Sequence, residues 1–183
     1  MQRSKYRILI ICLYIILFPL FFIFTPEVLR YNFVFGHLWQ ILVVIVVSFL
    51  LFYLANLFFK FHKAKWQNLR FSQSILVVLY ALLFAVPEEI IFRGIVQGIL
   101  QDYISNVVLL VIASSILFGF AHLPNGSKGL LPKYWNWKFF WITFLAGLPL
   151  GLIFALTNSL LFPTILHASF LTLFKLFTKK KLN

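Results

Sequence analysis

The chain has 183 residues, of which 62% are hydrophobic, 20% aromatic and only 11% charged. Soluble domains carry about a quarter of their residues as charged side chains, so this composition excludes a soluble globular protein and predicts an integral membrane protein. The formal charge of +12 does not point to nucleic acid: Lys and Arg cluster between apolar runs, as topology determinants do, without a nucleic-acid motif or basic amphipathic face.

The first apolar run covers about residues 6–24. It is too long for a signal-peptide core and no small-x-small cleavage site follows, so it reads as an uncleaved span. Its single cysteine, Cys12, excludes an intrachain disulfide and a Cys-based zinc site, and reads as packing. Thr25, Pro26 and Glu27 end this run, and a short loop over 28–36 follows. The second run is about 38–59, followed by a basic loop over 60–70 that contains Trp66. The third extends from about 71 to 100 with Pro87 near its middle, and ends at Gln101, Asp102 and Tyr103. The fourth is 106 to about 122. A loop over 123–137 carries Pro124, Asn125, Gly126, Gly129 and Pro132 as turn formers. The fifth run, 138–156, ends in the turn Thr157-Asn158-Ser159, and the sixth covers 160 to about 177.

A helix needs about 20 residues to cross the bilayer core. Six spans result if the third run is one long helix, and seven if it breaks at Pro87. Charge decides between them. Fourteen of the 16 basic residues fall in four places: before residue 8, in 60–70, in 128–138 and in 175–181. Six spans place all four groups on the cytoplasmic side, as the positive-inside rule requires. The expected fold is therefore all-α: one membrane domain over 1–183, a helical bundle of about six transmembrane helices with both termini cytoplasmic.

The chemistry centres on Pro87-Glu88-Glu89-Ile90-Ile91-Phe92-Arg93-Gly94. Asp and Glu total four in the whole chain, and two of them stand side by side in this apolar stretch. An ionisable residue inside a span points to function by default. In a helix Glu89 and Arg93, four apart, face each other, whereas Glu88 points about 100° away and has no partner in its own helix. A structural ion pair accounts for one carboxylate and leaves the second unexplained.

His122 ends the fourth run, and His167 lies seven residues into the sixth, where burial without a polar partner is costly. His37 and His62 read as interfacial or surface residues. Gly147 and Gly151, like Gly94 and Gly98, are small-xxx-small pairs that read as helix packing. Depth is a difficulty: Glu88 lies 16 residues past Ser72, roughly 24 Å along a helix, whereas His122 lies near the cytoplasmic end of its span. The two meet only if the start of span three tilts or lies in the interface, which Ser72, Gln73 and Ser74 allow. Three chemistries fit this set: hydrolysis with Glu88 as general base, a His and Glu metal site, and a proton or ion pathway. No His-Glu-x-x-His is present, and no repeated halves suggest a transporter.

Glu88-Glu89-Ile90-Ile91-Phe92-Arg93 resembles the Glu-Glu-x-x-x-Arg motif of the CPBP family, the CaaX-protease and bacteriocin-processing membrane proteins (also called Abi). Phe118 and His122 match its Phe-x-x-x-His motif. Gly147, Gly151, Thr157, Asn158, Ser159, Leu160, Pro163, Ile165, Leu166 and His167 are similar to its third region. Residues 1–70, two spans, carry no match, and 71–177 form the family-like core. The resemblance implies a glutamate-type intramembrane endopeptidase. Glu88 activates water with His122, His167 stabilises the oxyanion, and Glu89 and Arg93 hold the site in shape. No cofactor and no metal are expected, because the site lacks a further unambiguous ligand beyond the two histidines and Glu88; a zinc-dependent peptidase is the rival, since the family was long labelled metalloprotease. The implied partners are the lipid bilayer and a membrane-embedded or lipid-anchored protein or peptide, with no nucleic acid. The implied location is the bacterial cell membrane, in sorting-tail, bacteriocin or peptide processing. One departure stands out. The family places Asn or another polar residue four positions after the third-region His, and here that residue is Leu171. A catalytically weak relative acting in self-immunity by binding is the alternative it raises.

Overall fold

The structure is a computed structural model. It describes residues 70–124 and 132–177, together with six helical positions, Trp39, Leu42, Ile45, Val46, Phe49 and Tyr53. The expectations for Cys12, His37, His62, the first two spans and both termini fall outside the described residues or on too few positions to judge.

Among the described residues every regular element is helical. Helix α1, Phe71–Tyr103, runs 33 residues through Pro87 without a break. Its start is fixed where the Arg70 backbone N–H donates to Gln73 Oε1 at 3.0 Å, half of a capping box. Pro87 has no N–H to give the preceding turn. Just beyond it, over Ile90–Gln97, the helix widens to π-type hydrogen bonding, then returns to α over Gly98–Tyr103. Such widened turns concentrate at functional sites.

Helix α2, Val107–Ala121, starts at Asn106, whose Oδ1 accepts the Val108 and Leu109 N–H groups. That cap contributes about 1 kcal/mol. His122 closes α2. Leu123 O then accepts the Asn136 N–H at 3.0 Å, so the chain returns beside His122. A 3₁₀ turn at Pro132–Tyr134 precedes helix α3, Trp137–Thr157, capped by the Asn136 side chain. Asn158, at φ 53°, takes the left-handed conformation that ends α3. Ser159 Oγ accepts the Leu161 N–H, and helix α4, Leu161–Phe177, begins. Pro163 lies in its first turn, where no N–H is needed.

Small residues set the packing. A Cβ on Gly119 would lie 2.9 Å from the Phe140 ring; on Gly147, 3.2 Å from Ser115; on Gly151, 3.0 Å from Gln97 Oε1. The contacts Gly119–Phe140, Gly147–Ser115 and Gly151–Ser114 descend in one antiparallel register and seat α3 against α2. In contrast, the first half of α1 packs on α4, with Ala81, Ala85 and Ala168 buried together beside Leu82 and Leu171. So α1 pairs first with α4 and then, past Glu89, also with α2 and α3. The paired acids stand at that hand-over. Outward-facing side chains such as Leu76, Leu79, Leu83, Val108, Leu109 and Ile165 are apolar, as a hydrocarbon surround demands.

Two of these helices, α1 and α3, are long and apolar enough to cross a membrane, whereas α2 and α4 are shorter apolar helices. Six crossings are therefore not established by the described residues. The alternative of a break at Pro87 does not occur.

Gly119→Ala forces its methyl into the Phe140 ring and within 3.3 Å of the Phe140 carbonyl. The expected outcome in detergent is a stability loss of about 1–3 kcal/mol, read as a lowered unfolding midpoint. An unchanged midpoint would show that the α2–α3 contact is looser than described.

Candidate active site

Glu88 and Glu89 are the last two residues of the α-helical part of α1 before it widens. Helix α2 brings His122 from its C-terminal end, and α4 brings His167 from its middle. His122 Nε2 lies 3.4 Å from Glu88 Oε2 and His167 Nε2 lies 3.6 Å from the same oxygen. The structure thus brings together Glu88 and His122, whose depths the sequence could not reconcile, and sets His167 beside them. The Glu88 side chain keeps 13% exposure and the two histidines 11% and 7%, so the cluster is nearly buried.

The other nitrogen of each ring fixes its proton. His122 Nδ1 is 2.7 Å from the Phe118 carbonyl, which only accepts, so Nδ1–H donates. His167 Nδ1 is 2.7 Å from Glu89 Oε1, and donates to that carboxylate. In the neutral tautomers both Nε2 atoms are therefore bare and aimed at Glu88 Oε2. Three acceptors converging on one point call for a proton, or a protonated group, between them. That arrangement suits a group that takes a proton from water and passes it on.

Glu89 has a different task. Its side chain has no exposed surface and its Oε2 lies 3.3 Å from Arg93 Nε, also fully buried. Arg93 Nη2 donates to the Gly147 carbonyl of α3 at 3.3 Å, and the guanidinium lies 4.8 Å from the centroid of the Phe118 ring. The expected i, i+4 pair is present, and Glu89 also holds His167, a link the sequence did not disclose. Removing one partner of such a pair leaves an uncompensated buried charge, at about 3–5 kcal/mol. Phe118, itself buried, packs against both histidine rings, with centroids at 4.4 Å to His122 and 5.9 Å to His167.

One turn deeper is a polar group that the sequence reading passed over. Gln97 Nε2 donates to the Gly151 carbonyl at 2.8 Å, and Ser114 Oγ donates to Gln97 Oε1 at 3.1 Å. Both side chains are fully buried. The available signal was spacing: Glu89, Arg93 and Gln97 are four apart and form one polar stripe in an apolar run. The glycine pair Gly147 and Gly151 thus does more than let helices approach, since each also offers its carbonyl to a side chain of α1.

Leu171 packs against Ala81, Ala85 and Ala168 on the side of α4 that faces α1. Ser169 is exposed and donates to the Ile165 carbonyl, so it does not replace a polar group at position 171. Among the described residues no group of three or more His, Cys, Asp or Glu side chains is arranged to hold a metal ion.

Residues 70–173, more than half of the chain and spanning all four described helices, match the family described as type II CAAX prenyl endopeptidase Rce1-like. No curated protein and no solved structure matches the chain. The matched region contains the Glu88 cluster with its two histidines and the buried Glu89–Arg93 pair. The protein belongs to the Rce1-like type II CAAX prenyl endopeptidases, and is accordingly an integral membrane peptide hydrolase.

Proposed function

We propose that the protein is a glutamate-type intramembrane endopeptidase in which Glu88 is the general base. The carrying observation is the convergence of two histidine Nε2 atoms, each with its Nδ1–H tied elsewhere, on Glu88 Oε2. A water held by Glu88 and His122 gives a proton to Glu88 as its oxygen attacks the scissile carbonyl carbon. The C=O electron pair moves onto oxygen, and His167, protonated at Nε2, donates to that oxyanion. Glu89 at 2.7 Å stabilises an imidazolium at His167, and Arg93 balances the charge of Glu89. Glu88 then returns its proton to the departing amine as the C–N bond breaks. The products are a carboxylic acid and an amine.

The substrate is a membrane-anchored or lipidated protein or peptide. The family's name supports a prenyl-anchored one. Bacterial sorting tails, bacteriocins and peptide signals are the other candidate substrates. The proposed setting is the bacterial cell membrane, with several crossings. The apolar contact of Leu171 favours a second reading, a weak relative that acts by binding in self-immunity.

Glu88→Gln keeps the shape and removes the base. The expected result is a fall in kcat of about 10²–10⁴ with substrate still bound, and accumulation of specific uncut precursors in the host membrane proteome, read by mapping new termini. Matching proteomes would sink the protease reading. Chelator leaves wild-type cleavage unchanged in this mechanism; activity lost to chelator and restored by zinc would refute it. Leu171→Asn tests the second reading. If His167 is a sufficient donor, kcat changes less than about tenfold, since one added oxyanion donor is worth about 10²–10³ where it is needed. A hundredfold gain would mark the natural protein as catalytically crippled.

A further inference from the structure

Two parallel rungs join α1 to α3. Arg93 reaches the carbonyl of Gly147, and Gln97, four residues on, reaches that of Gly151, also four residues on. Each rung spans the same 54 residues of sequence. The first belongs to the site through Glu89. The second touches no acid or histidine of the site, yet it is the shorter bond, 2.8 Å against 3.3 Å. It is also the more constrained. The Gln97 amide is held at both ends: its nitrogen donates to α3 and its oxygen accepts from Ser114 of α2. The amide orientation is not free, because the Gly151 carbonyl can only accept. Ser114 Oγ lies 3.2 Å from the Val111 carbonyl as well, so its position in α2 is fixed. Gly151 leaves the room required, since a Cβ there would meet Gln97 Oε1 at 3.0 Å and Ser114 Oγ at 3.3 Å.

We propose that Gln97 is a positioning residue: by locking α1 to α2 and α3 it sets the register in which Arg93 meets Gly147, Glu89 meets Arg93, and His167 turns Nε2 toward Glu88. The inference rests on the proposed role of His167 for its effect on rate, but not for its effect on geometry. The path is short and each link is a named contact: Gln97 to Gly151, one helical turn of α3 to Gly147, then Arg93, Glu89 and His167. Gln97 is also the last residue of the π-type segment, a feature that is frequent at functional sites.

The test uses the full chain in lipid nanodiscs with ¹⁵N-histidine. Wild type should show Nδ1–H signals for both His122 and His167, assigned with His122→Gln and His167→Gln. Gln97→Met keeps the volume and removes both hydrogen bonds. The expected result is loss of the His167 Nδ1–H signal while that of His122, bonded within its own helix to Phe118, remains. With a prenylated fluorogenic peptide as probe, kcat should fall about 10- to 100-fold, the effect of a misplacement near 1 Å, with KM within about twofold. A merely structural residue would lower the unfolding midpoint and leave the His167 signal and kcat unchanged, and that outcome overturns the proposal. Should Gln97→Met fail to fold, Ser114→Ala frees only the Oε1 end. A weakened His167 signal and a smaller fall in kcat then support the lock, and an unchanged signal overturns it. If the prenylated peptide is not cut even by wild type, the protease reading is at fault, and the histidine signals still decide the role of Gln97.

Discussion

The Glu89–Arg93 pair is the constraint on which the rest of the described structure depends. Both side chains are wholly buried in an apolar bundle, where a charge without a partner is too costly to keep. Each must therefore be satisfied from outside its own helix. Arg93 takes the Gly147 carbonyl of α3 and Glu89 takes His167 of α4. One ion pair thus specifies how three helices meet. Hydrophobic contact could not do this, since lipid tails satisfy apolar side chains as well as another helix does. The polar stripe fixes the arrangement, and the small residues Ala81, Ala85, Gly119, Gly147 and Gly151 let the backbones come close enough for it to form.

The division of labour between the two adjacent acids follows from their 100° separation on the helix. Glu89 turns inward to a fixed cation and is structural in consequence. Glu88 turns toward the ends of two histidines whose other nitrogens are already engaged, and retains a small exposed surface. A carboxylate fixed against a cation makes a poor base, and a lone exposed one is hard to orient. The neighbouring positions separate the two arrangements: Glu89 holds His167 through Nδ1, and Glu88 faces the Nε2 of the same ring.

Much of this was legible in the sequence. Two acids in an apolar run, a basic residue four positions on, a histidine ending one run and a histidine deep in another are the five residues that meet in the cluster. Helix ends were legible where capping chemistry is local, as at Asn106 and Asn158. What escaped was whatever depends on a second helix. The Glu89–His167 bond joins residues 78 apart, and the Gln97–Ser114 bond joins side chains that read singly as unremarkable polar residues. The packing of Leu171 against Ala81 and Ala85 escaped for the same reason.

The depth conflict shows why helix length alone misled. At 1.5 Å per residue the 33 residues of α1 extend about 50 Å, well beyond a ~30 Å hydrocarbon core. Counting from its first residue as if α1 crossed upright therefore puts Glu88 too far from the face where α2 ends. A helix of this length must tilt strongly or run partly in the interface. The packing fits that requirement. Helices α2 and α3 engage α1 only from the hand-over onward, while its first half is paired with α4. The end of α2 consequently lies beside the middle of α1 rather than its start, and His122 reaches Glu88 there. The depth of the acid–histidine cluster is set by where along α1 its partners change, and the paired acids mark that position.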